Sequence, residues 1–123
     1  MPSVLIVDDE EQVRHLIRIG LEESGYRVRE AQSGQEALAR YREQPADLVI
    51  MDIMMPNQDG FESIRTLRRE FPAARVMAMT GESDMIGILN YLDVATMLGA
   101  CRTFQKPFEV ADLIQAVRTE LAR

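Results

Sequence analysis

The stretch Leu48-Val49-Ile50-Met51-Asp52 is a short apolar run that ends in a carboxylate. A similar run, Val4-Leu5-Ile6-Val7, is followed directly by Asp8 and Asp9. Runs that are apolar at every position are typical of central strands that are buried on both faces of a parallel sheet. Because parallel strands end at the same edge of a sheet, we expect these acidic residues to face one crevice there.

Segments with helical periodicity separate the apolar runs, which predicts repeated β-α units and an α/β fold with helices on both faces of the sheet. The five predicted strands are 3–8, 26–31, 47–52, 75–79 and 101–105. The five predicted helices are 10–24, one that starts at Ser33, one that starts at Asp59 and ends before Pro72, 85–98 and 109–122. A chain of 123 residues accommodates these elements in one domain, 1–123.

Local signals refine this prediction. Gly25 is expected to end the first helix, and the spacing of Ser33 and Glu36 is that of a capping box. The alternation in 26–30 predicts an edge strand with one wet face. The apolar residues of the first helix form one stripe that we expect to be buried: Val13, Leu16, Ile17 and Leu21. The helix at 85–98 has more apolar positions than one stripe can cover, which indicates either a deeply packed helix or a docking or dimer surface.

Composition excludes several classes of protein. The sequence is 46% apolar and 28% charged, and it has no apolar run long enough to span a membrane. The first residues show no secretory signal, so we expect a cytoplasmic location. A net charge of −6 argues against nucleic acid as a direct partner. The single cysteine, Cys101, is expected to be a partly buried strand residue, and His15 a surface or boundary residue.

The ends of the later strands also carry polar groups. Thr80 ends the run Val76-Met77-Ala78-Met79, and Lys106, the only lysine of the chain, follows the last strand. We therefore expect a hydroxyl and an ammonium to join the carboxylates of Asp8, Asp9 and Asp52.

If the carboxylates of Asp8, Asp9 and Asp52 lie close together, their negative charges repel one another and favour a bound cation. Mg²⁺ binds oxygen ligands, keeps several waters and accepts phosphate oxygens, and neither histidine nor thiol lies in the motif to favour a softer metal. With Mg²⁺ and Lys106 nearby, Asp52 can act as a nucleophile toward phosphorus and form an aspartyl phosphate. Thr80 then supplies a hydrogen bond to the transferred group.

These motifs together resemble the receiver domain of two-component response regulators, and the resemblance covers the whole chain. The motifs that carry it are Val7-Asp8-Asp9-Glu10, Met51-Asp52-Ile53-Met54-Met55-Pro56, Asp59-Gly60, Met79-Thr80-Gly81 and Lys106-Pro107-Phe108. Each motif alone is weak, but five in this order and at compatible spacing are specific.

The resemblance implies a flavodoxin-like, doubly wound (βα)5 three-layer sandwich with strand order 2-1-3-4-5. It implies that Asp52 accepts a phosphoryl group from a histidine kinase or a histidine phosphotransferase. Asp9 is then expected to bind Mg²⁺ directly, Asp8 through water, and Asp52 and the Met54 carbonyl to complete the site. Thr80 and Lys106 are expected to hold the phosphoryl oxygens. A cis peptide is implied at Lys106-Pro107.

The chain departs from the family pattern at two places. An aromatic switch residue usually lies three positions before the active-site lysine, where this chain has Thr103, followed by Phe104. The segment between Thr80 and Gly99 is also longer than usual. In the family, the fourth helix, fifth strand and fifth helix form the output surface, so altered dimerisation or partner choice is one interpretation, and simple repacking is the other.

Three functions remain open from the sequence. The first is a signalling switch that catalyses only its own phosphorylation and dephosphorylation. The second is an enzyme that turns over small phosphate substrates, but such an enzyme needs a second carboxylate two residues after the nucleophile, where Met54 stands. The third is an unphosphorylated pseudo-receiver that acts as a binding module. The chain is expected either to act alone or to be part of a longer protein with an output domain.

Overall fold

A computed structural model describes residues 1–53, 59–80 and 99–122. The described strands are β1 (Ser3–Val7), β2 (Arg27–Ala31), β3 (Leu48–Asp52), β4 (Val76–Thr80) and β5 (Arg102–Gln105). The described helices are α1 (Glu11–Glu23), α2 (Gly34–Glu43), α3 (Asp59–Glu70) and α4 (Val110–Leu121). Helix α4 is the fifth of the predicted helices, and the predicted helix at 85–98 lies outside the described residues.

All neighbouring strands are parallel, and their order is β2-β1-β3-β4-β5. The expected doubly wound order is therefore confirmed, and the strand bounds agree with the prediction to within one residue at each end. Strand β2 lies at an edge, as its alternating pattern predicted.

Helices cover both faces of the sheet, so the core has two halves. On one face, Ile17 and Leu21 of α1 and Leu113 and Val117 of α4 pack against alternate residues of the strands. The opposite face is covered by α2 and α3. Strands β3 and β4 are buried at every position. This sandwich explains why their sequences are continuous apolar runs and do not alternate.

The predicted helix boundaries have the expected chemistry. Gly25 has a φ of 94° just after α1, a conformation that favours glycine. The Ser33 hydroxyl accepts a hydrogen bond from the Glu36 N–H at 3.1 Å, as expected for the N-cap of α2. The peptide bond between Lys106 and Pro107 is cis, also as expected.

Two predicted environments are wrong. Leu16 is 60% exposed, because the face of α1 that contacts the sheet follows Val13, Ile17 and Leu21 at intervals of four residues and leaves Leu16 beside it. Cys101 is exposed and lies one residue before β5, where its N–H donates to the Val76 carbonyl. An edge strand has no outer neighbour to cover such a residue. His15 is exposed, as predicted.

Gly60, in the first turn of α3, packs directly on the end of β3. A Cβ at this position would lie 2.6 Å from Ile53 Cα and 2.7 Å from the Asp52 carbonyl oxygen. Both are backbone atoms and cannot rotate away. Because Gly60 has no side chain, α3 can start in direct contact with the backbone of Asp52 and Ile53.

We predict that Gly60→Ala lowers the free energy of unfolding by about 1–3 kcal/mol, because the added methyl forces α3 away from β3. Urea denaturation would measure the change. Ala39→Gly, at an exposed position of α2, is the control for helix propensity and should cost about 1 kcal/mol. Propensity alone would make Gly60→Ala stabilising, so a gain in stability would contradict the packing argument.

Candidate functional site

The carboxyl ends of β1, β3, β4 and β5 bring four polar side chains to one edge of the sheet. Asp8 follows β1, Asp52 ends β3, Thr80 ends β4 and Lys106 follows β5. The backbone N–H of Lys106 donates to the Thr80 carbonyl at 2.8 Å, which continues the pairing of β4 and β5 up to the lysine. The parallel order thus places residues that are far apart in sequence within side-chain reach of one another.

Lys106 lies at the centre of this edge. Its Nζ donates to Asp8 Oδ2 at 2.6 Å and to Asp52 Oδ2 at 3.2 Å, and it lies 3.6 Å from Glu10 Oε1. The side chains of Asp8 and Asp52 are almost fully buried, at 0% and 3% exposure. One ammonium therefore bridges two buried carboxylates from different strands.

The surroundings of Lys106 keep it charged. Burial of the ammonium alone would lower its pKa, but the hydrogen bond to Asp8 and the charges of Asp52 and Asp8 outweigh burial and hold the pKa of Lys106 above its ordinary value. A raised lysine pKa means that the ion pairs stabilise the fold fully at neutral pH. The part of that stabilisation that comes from Lys106 is lost as the pH rises through the raised pKa.

A second cluster lies where β1 turns into α1. Carboxylate oxygens of Asp8, Asp9 and Glu10 all lie within 4.8 Å of one another, and Asp9 and Glu10 are exposed. Partial burial and the charge of Asp8 raise the pKa of Asp9. Asp8 is already engaged on both oxygens, since Oδ1 accepts from the Glu10 N–H at 2.9 Å and Oδ2 from Lys106. The exposed Asp9 carboxylate is thus better placed than Asp8 to bind a divalent cation directly.

Thr80 is fully buried, and its hydroxyl has no hydrogen-bond partner within the described part of the chain. An unsatisfied buried hydroxyl costs about 1–3 kcal/mol, so such groups are rare without a purpose. A hydroxyl at the end of β4 is suited to donate to a ligand oxygen bound beside Asp52.

Two residues of this region had no predicted role: Glu10, which was part of the acidic motif, and Arg14. Glu10 directly follows the acidic pair, and that adjacency was the available signal. Arg14 on α1 donates from Nη1 to the Asp8 carbonyl at 2.7 Å, a contact with no pattern in the sequence. The Met54 carbonyl, expected as a cation ligand, lies outside the described residues.

The register of β5 separates the two residues at which the chain departs from the family pattern. Thr103 pairs with Ala78, which belongs to the core half under α2 and α3. Phe104 packs in the other half, under α1 and α4, and its ring lies 5.7 Å from that of Phe108. Adjacent strand residues point to opposite faces, so Phe104 cannot replace an aromatic residue at position 103.

Comparison with known proteins agrees with the geometry. The family model for the response regulator receiver domain matches residues 4–118. The KDP operon transcriptional regulatory protein KdpE of Escherichia coli is 37% identical over 125 residues, which cover 100% of this chain and 52% of that protein. The response regulator GtcR of Aneurinibacillus migulanus is 36% identical over 123 residues, with 98% of this chain and 48% of that protein covered. This chain thus spans about half the length of these relatives.

Solved structures show the same fold. The crystal structure of a response regulator receiver domain protein from Clostridium thermocellum has a TM-score of 0.89 and 30% identity, and the match covers 100% of this chain and 96% of that one. A two-component response regulator of the LuxR family from Aurantimonas has a TM-score of 0.84 and 34% identity, with 98% and 84% covered. Within residues 1–53, 59–80 and 99–122, no helix has the length and apolar character to cross a membrane.

We predict that Asp9→Asn raises the free energy of unfolding in metal-free buffer by up to about 1 kcal/mol, because it removes one of three crowded negative charges. Mg²⁺ at about 100 times its Kd should stabilise the wild type by about 2.7 kcal/mol and leave Asp9→Asn nearly unchanged. Urea titrations with and without Mg²⁺ measure both effects.

Asp112→Asn is the matched control, because Asp112 is an exposed acid in the first turn of α4, where a negative charge favours the helix. It should leave the stability unchanged or lower it slightly, and the response to Mg²⁺ should remain. A loss of stability in metal-free Asp9→Asn would contradict the crowding argument.

Proposed function

This chain belongs to the family of response regulator receiver domains, and on that basis we propose that it is a phosphoacceptor switch of a two-component system. A phosphoryl group passes to Asp52 from a phosphohistidine of a sensor histidine kinase or histidine phosphotransferase. The observation that carries the proposal is the position of Lys106 Nζ, 2.6 Å from Asp8 Oδ2 and 3.2 Å from Asp52 Oδ2. The Lys106 ammonium thus bridges Asp8, a candidate metal-binding carboxylate, and Asp52, the proposed phosphoacceptor.

The transfer step assigns a role to each residue of the edge. A carboxylate oxygen of Asp52 forms a bond to phosphorus while the phosphorus–nitrogen bond of the phosphohistidine breaks, and its electron pair stays on the imidazole. Lys106 donates hydrogen bonds to the phosphoryl oxygens, and the Thr80 hydroxyl, which lacks a partner among the described residues, donates another. Little covalent chemistry is asked of the protein, since phosphoryl transfer depends mainly on positioning and charge.

The donor set fits Mg²⁺. All the candidate ligands are oxygens: Asp9 directly, Asp8 through water, the Asp52 carboxylate and the Met54 carbonyl. The crowding of Asp8, Asp9 and Glu10 within 4.8 Å supports a cation at this position. When bound, Mg²⁺ offsets the negative charge of the phosphoryl oxygens. Asp9 presents its carboxylate to solvent, and Asp8, with both oxygens occupied, orients the loop.

The output is conformational. A phosphoryl group on Asp52 competes with Asp8 for Lys106 and gives the Thr80 hydroxyl a partner, which it lacks among the described residues. Both changes begin next to β5 and spread to β5 and α4; the predicted helix at 85–98, which the family resemblance adds to this surface, lies outside the described residues. We propose that a protein target, or a second copy of the chain, binds at this surface, without direct contact with nucleic acid. The proposed location is the cytoplasm.

The extent of the functional unit is also a proposal. Residues 1–123 form one receiver domain, which acts alone or as the regulatory part of a longer protein. This chain spans about half the length of several relatives, and some of these are described as transcriptional regulatory proteins.

A different class of function would use the same fold without phosphorylation. A pseudo-receiver would bind partners while its Asp52 stayed unmodified. Two observations favour the phosphoacceptor: the buried ion pairs of Lys106 with Asp8 and Asp52, and a Thr80 hydroxyl that has no partner in the part of the chain that the structure describes. Buried ion pairs and an unsatisfied buried hydroxyl both cost stability, so a fold with a purely structural role gains nothing from them.

We predict that incubation with acetyl phosphate and Mg²⁺ adds one phosphoryl group to the wild type, seen by intact mass spectrometry. The gain should disappear without Mg²⁺ and in Asp52→Asn. Asp47→Asn is the matched control, because Asp47 is an exposed acid just before β3, at the opposite end of the strand. It should be modified like the wild type. A folded wild type that gains no mass would favour the pseudo-receiver.

Thr80→Val tests whether the buried hydroxyl is kept for function. The unphosphorylated variant should be about 1 kcal/mol more stable than the wild type, because a methyl group replaces an unsatisfied hydroxyl. Acetyl phosphate should nevertheless stabilise it less than it stabilises the wild type. Thr119→Val is the control, since the Thr119 hydroxyl donates to the Gln115 carbonyl at 3.0 Å and its removal should bring no gain. A destabilised Thr80→Val would show that the hydroxyl has a structural partner.

A further inference from the structure

Arg14 connects the end of β1 to strand β2 with a single guanidinium. Its Nη1 donates to the Asp8 carbonyl at 2.7 Å, and its Nε donates to Glu30 Oε1 at 2.9 Å. The side chain is only 13% exposed, although it belongs to the first turns of α1. The carbonyl that it binds is that of the peptide between Asp8 and Asp9. Arg14 therefore contacts the backbone from which the acidic loop starts.

Glu30 fixes the orientation of that guanidinium. It lies on β2 opposite Ile6 of β1, and its second oxygen, Oε2, accepts from Arg18 Nη1 at 2.7 Å. Each carboxylate oxygen thus has its own arginine. The two arginines and Glu30 form an ion-pair cluster at the β2 edge of the sheet, whereas Lys106 follows β5 at the opposite edge.

We propose that Arg14 is a positioning residue for the divalent cation site. By holding the Asp8–Asp9 peptide, Arg14 sets the direction in which the Asp9 carboxylate is presented to the cation, and Glu30 keeps Arg14 in place. This inference rests on the proposed function, in which Asp9 is a direct Mg²⁺ ligand. Arg14 touches neither the cation nor the phosphoryl group, and acts through the peptide.

The shape of the guanidinium explains why arginine is needed. Nε and Nη1 are donors of one rigid plane, so contact with Glu30 on one side fixes the direction of the hydrogen bond to Asp8 on the other. A lysine ammonium is a single point charge on a flexible stem and does not couple the two contacts in this way. Arg14→Lys therefore keeps the charge and removes the coupling.

Charge and position predict opposite effects, which makes the proposal testable. A positive charge beside a cation site repels the cation, so its removal should tighten Mg²⁺ binding if charge alone mattered. Loss of positioning should weaken binding, because supporting hydrogen bonds around metal ligands contribute about 10- to 100-fold in affinity.

The experiment is Mg²⁺ titration by isothermal calorimetry of the wild type, Arg14→Gln, Arg14→Lys and Arg40→Gln. Arg40→Gln is the matched control, because Arg40 pairs with Glu36 within α2 and contacts no part of the acidic loop described here. Both Arg14 variants should bind Mg²⁺ about tenfold more weakly, and Arg40→Gln should stay within about twofold of the wild type. Urea denaturation establishes that each variant is folded. If Arg14→Gln does not fold, Arg14→Lys decides the question.

Phosphorylation by acetyl phosphate separates positioning from a direct role. The Mg²⁺ concentration for half-maximal rate should rise about tenfold in both Arg14 variants, as their Kd does, while the rate at saturating Mg²⁺ stays within about twofold of the wild type. Unchanged or tighter Mg²⁺ binding in Arg14→Gln, or wild-type affinity in Arg14→Lys, would overturn the inference. A wild type that binds Mg²⁺ but is not phosphorylated would overturn the proposed function alone, and one that binds no Mg²⁺ would overturn both.

Discussion

The contact of one ammonium with two buried carboxylates is the constraint on which the structure depends. Asp8 and Asp52 end neighbouring strands and lie out of contact with bulk solvent, where uncompensated charges are strongly destabilising. Lys106 compensates both, but it starts from the far edge of the sheet, beyond β4. Its reach therefore requires that β1, β3, β4 and β5 end at the same level. The parallel register and the close start of α3 at Gly60 both serve this requirement.

The same edge contains arrangements that cost stability. Three carboxylates crowd the start of α1, and the Thr80 hydroxyl is buried without a partner among the described residues. Neither feature stabilises the protein by itself. A bound cation would offset the crowded negative charges, and an anionic group with oxygen acceptors would accept a hydrogen bond from Thr80. Functional sites commonly carry such local strain because the surrounding core can tolerate it. Here the tolerance comes from β3 and β4, which are buried at every position.

The sequence predicted the described strands and helices well and the side-chain environments less evenly. The runs at 4–7 and 48–51 identified central strands because both faces of such strands are buried, although a run that is apolar throughout does not indicate which residues face which helical layer. The strand order came from resemblance, since periodicity says nothing about which strands are neighbours. Leu16 and Cys101 were misplaced because each lies at the margin of a packed face. The role of Arg14 was not predicted because its partner at the site is a backbone carbonyl. Every residue has such a carbonyl, so no sequence pattern marks the contact.

The register of β5 also limits how a change at the site can travel. Thr80 and Thr103 lie on the face covered by α2 and α3, whereas Phe104 and Phe108 pack together on the α1–α4 face beside Lys106. On that face of β5, Thr80 pairs with Gln105 and Ala78 pairs with Thr103, so a shift at Thr80 meets no aromatic residue of β5. A shift of Lys106, by contrast, acts on the chain that carries both aromatic rings. Within residues 1–53, 59–80 and 99–122, Lys106 is thus the site residue that lies in the chain between two packed aromatic rings.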